Sequence, residues 1–102
     1  MTAKYSPPPW RIRKSAASTT VEIVDANDVV IAEVGDTSLE DEANARLITH
    51  APALLDELRK AADTFADLAR VLRMLGRPTT AMACDVAEQA ARSTLAKAGA
   101  QA

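Results

Sequence analysis

The side chains best placed for chemistry are cationic. Arg11 and Arg13 alternate with Trp10 and Ile12 near the start of the chain, and Arg70, Arg73 and Arg77 follow one another at i, i+3 and i+7. A guanidinium grips a phosphate bidentately and an indole stacks on a base, so Trp10 with Arg11 and Arg13 suits an anionic, planar ligand. The structural alternative is that Trp10 anchors a sheet while the two arginines neutralise Glu22 and Glu33. Arg73 and Arg77 share a face near a helix C-terminus, where cations offset the helix dipole. Repeated around a symmetric oligomer, the same arginines would make a ring of positive charge.

Other chemistries lack their residues. The lone His50 and the lone Cys84 have no zinc-ligand spacing around them. Three glycines in all leave no Gly-rich phosphate loop, and no nucleophile elbow or H-E-x-x-H occurs. Neither an enzyme, a cofactor nor a metal is expected. Cys84 lies in an Ala-rich helical pattern and reads as a small buried hydrophobe.

The chain has 102 residues, 48% of them hydrophobic, but 22 of those are Ala and the aromatics are only Tyr5, Trp10 and Phe65. A thin core of closely packed helices is expected, with self-association to cover what remains. The net charge of −2 argues against a protein that coats nucleic acid. Charge is unevenly placed: residues 1–14 carry four bases and no acid, and residues 15–45 carry eight acids and no base. No apolar run is long enough to span a membrane, and no apolar leader follows the N-terminal bases. A soluble, cytoplasmic protein without membrane partners is expected.

Residues 1–9 form a Pro-rich extended lead-in. Residues 10–34 read as a three-stranded antiparallel meander, with a turn centred on Asn27 and Asp28. That centring pairs Val24 with Ile31, Ile23 with Ala32, Glu22 with Glu33 and Val21 with Val34. The Glu22–Glu33 repulsion is relieved if Arg11 and Arg13 lie on the same face.

Thr37 to Glu40 has capping-box spacing, and Glu40, Asp41 and Glu42 suit a helix N-terminus. A short helix over 37–50 is expected, with Leu39, Ala43, Leu47 and Ile48 inward. Pro52 then breaks it near His50 and Ala51 and opens the next helix. From Leu54 the 4-3 spacing of Leu58, Ala61, Phe65, Leu68, Leu72 and Leu75 marks the strongest periodicity in the chain. Gly76 closes that helix, and Thr79 or Thr80 caps a last one with Met82, Val86, Ala90 and Leu95 inward. Residues 52–98 thus form an antiparallel helical hairpin. The fold expected is α+β in one domain: meander, short helix, helical hairpin.

The run Asn44-Ala45-Arg46-Leu47-Ile48, then Ala51-Pro52 and Leu54-Leu55, follows the hairpin motif V-x-I-V-D-A-N-D-x-V-I-A. From Trp10 to Leu58 this resembles short phage and prophage early-region proteins, although Thr49 and His50 replace small alanines. The layout of sheet then helices also looks like the phage sponges that counter Thoeris immunity by sequestering cyclic ADP-ribose-type signals, some of which also hold cyclic oligonucleotides. That resemblance implies a homo-oligomer with ligand pockets between subunits. It makes Asn44 and Arg46 candidates to read a base edge and a phosphate, the alternative being an ordinary helix surface.

Two functions follow. The first is a phage anti-defence protein in the host cytoplasm that sequesters a cyclic nucleotide or ADP-ribose-type signal without catalysis. The second is an inhibitor that binds a host defence protein, anti-CRISPR-like or another host-takeover factor, through acids such as Glu22, Asp25, Asp28, Glu33 and Asp36. Direct nucleic-acid binding ranks third.

Overall fold

The computed structural model describes residues 5–100. It has the element order β1 (Arg11–Lys14), β2 (Thr20–Val24), β3 (Val30–Gly35), α1 (Leu39–Met74) and α2 (Pro78–Lys97). The strands form one antiparallel sheet in the order β1-β2-β3, followed by two helices, an α+β fold as the sequence predicts. The chain divides into two compact units, Met1–Leu54 and Leu55–Ala102. Residues 1–4 of the lead-in lie outside the described residues.

In the first unit, alternation along the strands sorts the side chains. Ile12, Ile23 and Ala32 stand in one cross-strand row, and Arg13, Glu22 and Glu33 in the next. Val21, Ile23 and Ala45 form the core, with Trp10, Ile12, Ile31, Ala32, Val34 and Ile48 packed against them. The expected pairing of Val21, Glu22 and Ile23 with Val34, Glu33 and Ala32 is present, but Val24 faces Val30 rather than Ile31 because a bulge interrupts the ladder there.

The turn explains why Val24 faces Val30. The Asp28 amide donates to the Asp25 carbonyl, and the Asp25 amide donates to the Val29 carbonyl. Asp28 takes the left-handed conformation at φ 63°. This is a three-residue loop, Ala26 to Asp28, which sets Asp25 against Val29 and Val24 against Val30; the extra residue Ile31 then returns the ladder to Ile23 with Ala32. The buried Asp25 carboxylate holds it by accepting the Asn27 and Val29 amides at 2.8 and 3.0 Å. The lead-in is tied to the same turn, since the Ala26 amide donates to the Pro7 carbonyl at 3.0 Å.

The capping box sits one residue beyond the expected position. Asp36 is still bonded to the sheet, its amide donating to Thr19, so Thr37 is not yet at the helix. Ser38 Oγ accepts the Asp41 amide at 3.1 Å, and Asp41 Oδ2 reaches back to the Thr37 amide at 3.1 Å and hydroxyl at 3.2 Å. The box is therefore Ser38 with Asp41. The inward face shifts with it: Ala45 and Pro52 are buried and Ile48 half-buried, whereas Leu39 and Leu47 are exposed. Small Ala45 against Val21 and Ile23 lets the helix lie close to the sheet.

The break expected at His50 and Ala51 is absent, so the short helix and the first arm of the hairpin are one helix, with Pro52 inside it. Proline there removes one amide and crowds the Ile48 carbonyl, at a cost of about 3 kcal/mol. Side chains serve the carbonyls of the preceding turn: Thr49 Oγ1 donates to Ala45 O at 2.7 Å, and His50 Nδ1 lies 2.8 Å from Arg46 O. A carbonyl only accepts, so this contact selects the tautomer with the proton on Nδ1.

In the second unit, α1 ends in a Schellman motif. Gly76 at φ 73° donates to Arg73 O, and Arg77 donates to Leu72 O. α2 then begins at Pro78, with Arg77 as N-cap and no side-chain cap, so neither Thr79 nor Thr80 has that role. Proline at the first helical position already has the helical φ and lacks only an amide that would be unpaired.

The two helical segments run antiparallel, because Arg73 pairs with Asp85 while Asp63, ten positions earlier, pairs with Arg92 at 3.0 Å. Arg92 also meets Glu88 at 2.7 Å; Glu88 first and then Asp63 hold its pKa above the ordinary arginine value. Asp56 and then Glu57 raise Lys60 in the same way.

The hairpin core differs from the expected seam. Ala62, Ala69, Ala81, Cys84, Ala91 and Leu95 are buried, and Phe65 and Leu72 pack beside them. Leu68, Leu75, Met82 and Val86 are exposed. Alanine facing alanine permits a close approach of the helix axes and so sets the phase of both helices. Cys84 is a free, buried thiol, as expected.

Candidate functional site

The candidate residues divide between the two units. Trp10 packs against the first unit's core, donates its indole N–H to Ser6 O at 3.0 Å and stands edge-on to Tyr5 with 6.1 Å between ring centroids. It is an anchor for the sheet. Arg11 pairs with Asp28. Arg13 approaches Glu22 twice, Nε at 3.0 Å and Nη2 at 2.9 Å, both to Oε1. Both arginines are thus committed to carboxylates.

Asn44 and Arg46 flank Ala45 on the exposed surface of α1. Ala45 faces the apolar row of the sheet, whereas Arg13 stands in the row on the other face, so the sheet lies between Arg13 and the pair on α1. Arg46 makes no ion pair among the described residues. In the second unit Arg73 is held by Asp85, and Arg77 caps α2 through its backbone. Within the first unit, the candidates do not all share one face of the sheet.

One open depression lies in the first unit. It has a volume of about 440 Å³ and is lined by Arg13, Lys14, Ser15, Ser18, Thr20, Glu22 and Glu33. Such a volume falls within the range of small-molecule sites. Ser18 Oγ accepts the Thr20 amide at 3.1 Å and lies 3.0 Å from Thr20 Oγ1, so the β1–β2 loop has an ordered hydroxyl rim. Lys14 has no ion pair among the described residues and is the cation there free to meet an anion. Lys14 is not among the seven residues to which the sequence points. The signal was its position at the end of the basic strand, where the chain turns through Ser15 to Ser18.

The acids tell a different story. Glu22 and Glu33 face one another across β2 and β3. Arg13 serves Glu22, but Glu33 has no ion pair among the described residues. Around it the stretch from Ser15 to Ala45 contains no base, and Val29 and Val30 are exposed beside it. Glu33 thus stands on the outer strand without an ion pair of its own, although Arg13 and Lys14 line the same depression.

Among the described residues no group of three or more His, Cys, Asp and Glu is gathered as a metal would need, and no helix is long and apolar enough to cross a membrane. No buried side-chain nitrogen or oxygen among them lacks a hydrogen bond. The polar groups described are arginines paired with carboxylates, a lysine beside hydroxyls, and a glutamate on the outer strand. No curated protein and no solved structure matches the chain. A match does come from a phage family: the family described as Salmonella phage P22 protein Y8K6 matches residues 1–102, and the chain belongs to it.

Proposed function

We propose that this phage protein is an anti-defence factor that acts by stoichiometric binding, without catalysis, and that its target is a host protein. The observation that carries this reading is the edge of β3 at Glu33, a carboxylate that makes no ion pair among the described residues. Charge of one sign beside exposed valines steers and then holds a complementary protein surface. Arg11, Arg13 and Arg73 support the same reading from the other side, because their guanidinium groups are already occupied by Asp28, Glu22 and Asp85.

Sequestration of a cyclic nucleotide or ADP-ribose-type signal is the second reading, favoured by the depression with Lys14, Ser15 and Ser18 on its rim. It requires a homo-oligomer, since one open depression does not enclose such a ligand.

Native mass spectrometry of the chain purified from infected, defence-carrying host cells separates the two. A complex with one host protein at fixed stoichiometry is the expected result. An oligomer retaining a nucleotide-sized adduct selects sequestration, and a bare monomer overturns both.

A further inference from the structure

We infer that the free edge of β3 is a docking site for an extended segment of a foreign protein that carries a lysine or arginine between two apolar residues. The inference deepens the host-protein reading by stating how such a partner is held.

β3 is an outer strand of the sheet. The Asp36 amide donates to Thr19 O, and the register continues as Val34 with Val21 and Ala32 with Ile23. In an antiparallel ladder, hydrogen-bonded and non-bonded pairs alternate. Asp36, Val34 and Ala32 therefore point their backbone groups at β2, and Glu33 and Gly35 point theirs away from it. Neither makes another hydrogen bond among the described residues. Such a row is a template for an added strand.

The two edges of the sheet are guarded differently. β1 is four residues long, follows three prolines and carries Arg11, Arg13 and Lys14. Proline and closely spaced charge are the usual devices that blunt an edge. β3 is six residues long and reads V-I-A-E-V-G, preceded by exposed Val29, with no proline, no lysine and one charge. Its bulge, beside Val24, lies at the turn end and leaves the ladder from Ala32 to Gly35 regular.

Charge states what the added strand must carry. The cross-strand row on one face runs Arg13, Glu22, Glu33. Each carboxylate gains a basic neighbour if the next residue in the row is lysine or arginine, and opposite charges directly across a ladder are the favourable pairing. The neighbouring positions then lie beside Ala32 and Val34, both half-buried against the core, and are apolar. A second copy of β3 would instead bring two acidic edges together. A second copy of the segment Trp10, Arg11 and Ile12 has the right pattern, but the Arg11 guanidinium is already held by Asp28.

The test is amide hydrogen exchange by NMR on the whole chain, with a nine-residue probe alternating threonine and valine around a central lysine and a second probe with central glutamate. With the lysine probe at millimolar concentration, exchange at Glu33 slows at least tenfold while the amides of Ala32 and Val34, already bonded to β2, change little. The glutamate probe leaves Glu33 unchanged, and Glu33→Lys reverses the preference. Unchanged exchange at Glu33 with both probes overturns the inference. So does concentration-dependent protection without any probe, which would mean that a second copy occupies the edge. A host protein retained equally by the Glu33→Lys chain and the unaltered chain also overturns it, while leaving the host-protein reading intact.

Discussion

Asp25 does more for the first unit than its size suggests. Its carboxylate is buried and accepts the amides of Asn27 and Val29, so it fixes the loop that sets where β3 begins. Replacing it with alanine removes the one oxygen that accepts both amides and leaves a small void at the turn. Asp25→Ala is expected to cost about 1–3 kcal/mol, the range for losing a buried partner. Asp25→Asn keeps an oxygen in place and should cost less than half as much. Urea unfolding of the two variants checks this, and equal losses would show that the oxygen's hydrogen bonds contribute nothing. The pairing on either side of this turn was readable in the sequence, but the loop length was not. Asn27-Asp28 suggests a two-residue turn by composition, whereas a buried acceptor at Asp25 selects three, and burial of one carboxylate leaves no periodic trace.

At the scale of elements, the start of α1 shows two residues solving one problem. Asp41 reaches back to Thr37 and lies against Gly35, where an added Cβ would stand 2.8 Å from Asp41 Oδ2. Asp41→Ala loses the cap, a change of about 0.5–2 kcal/mol. Gly35→Ala displaces the same carboxylate and should destabilise by a similar amount. The double variant should then cost clearly less than the sum of the two, because the clash disappears with the carboxylate. Additive losses in thermal unfolding would mean that Gly35 is needed for another reason.

Pro52 offers the opposite sign. Pro52→Ala restores an amide to the Ile48 carbonyl and removes the crowding, while giving up some buried ring surface. The helix-propensity gap of about 3 kcal/mol exceeds that loss, so a net stabilisation of roughly 1–2 kcal/mol is expected from chemical denaturation. Loss of stability would mean that the ring's packing outweighs the backbone term. A proline between two helical patterns reads as a boundary in any sequence. Only the turns around it, anchored by Ala45 and Ile48 on one side and the periodic run beyond Leu54 on the other, show that the helix passes through.

Across the whole molecule, the 22 alanines first read as a deficit of core-forming residues. The structure places several of them at the centre of the packing. In the second unit Ala62, Ala69, Ala81 and Ala91 are buried while Met82 and Val86 face solvent. Reading by size puts the bulky residues of α2 inward, because burial of a larger side chain removes more apolar surface from water. Helix pairs have another option: small residues on both faces let the axes approach, and backbone as well as side-chain atoms then pack densely.

Ala, Met and Val all count as apolar in a periodic pattern, so the pattern alone does not fix the phase. The ion pairs do carry that information, since Asp85 and Arg92 must flank the contact to reach Arg73 and Asp63. The two phases predict opposite responses to substitution. With the small-residue face inward, Ala81→Leu should overpack the hairpin and cost about 1–3 kcal/mol. Met82→Gln and Val86→Gln, each on the exposed face, should stay within about 0.5 kcal/mol of the parent. Thermal unfolding of the three single variants decides between the phases: a large loss at Met82 or Val86 with tolerance at Ala81 would reverse the helix face assigned here, and with it the view that alanine is this unit's packing residue.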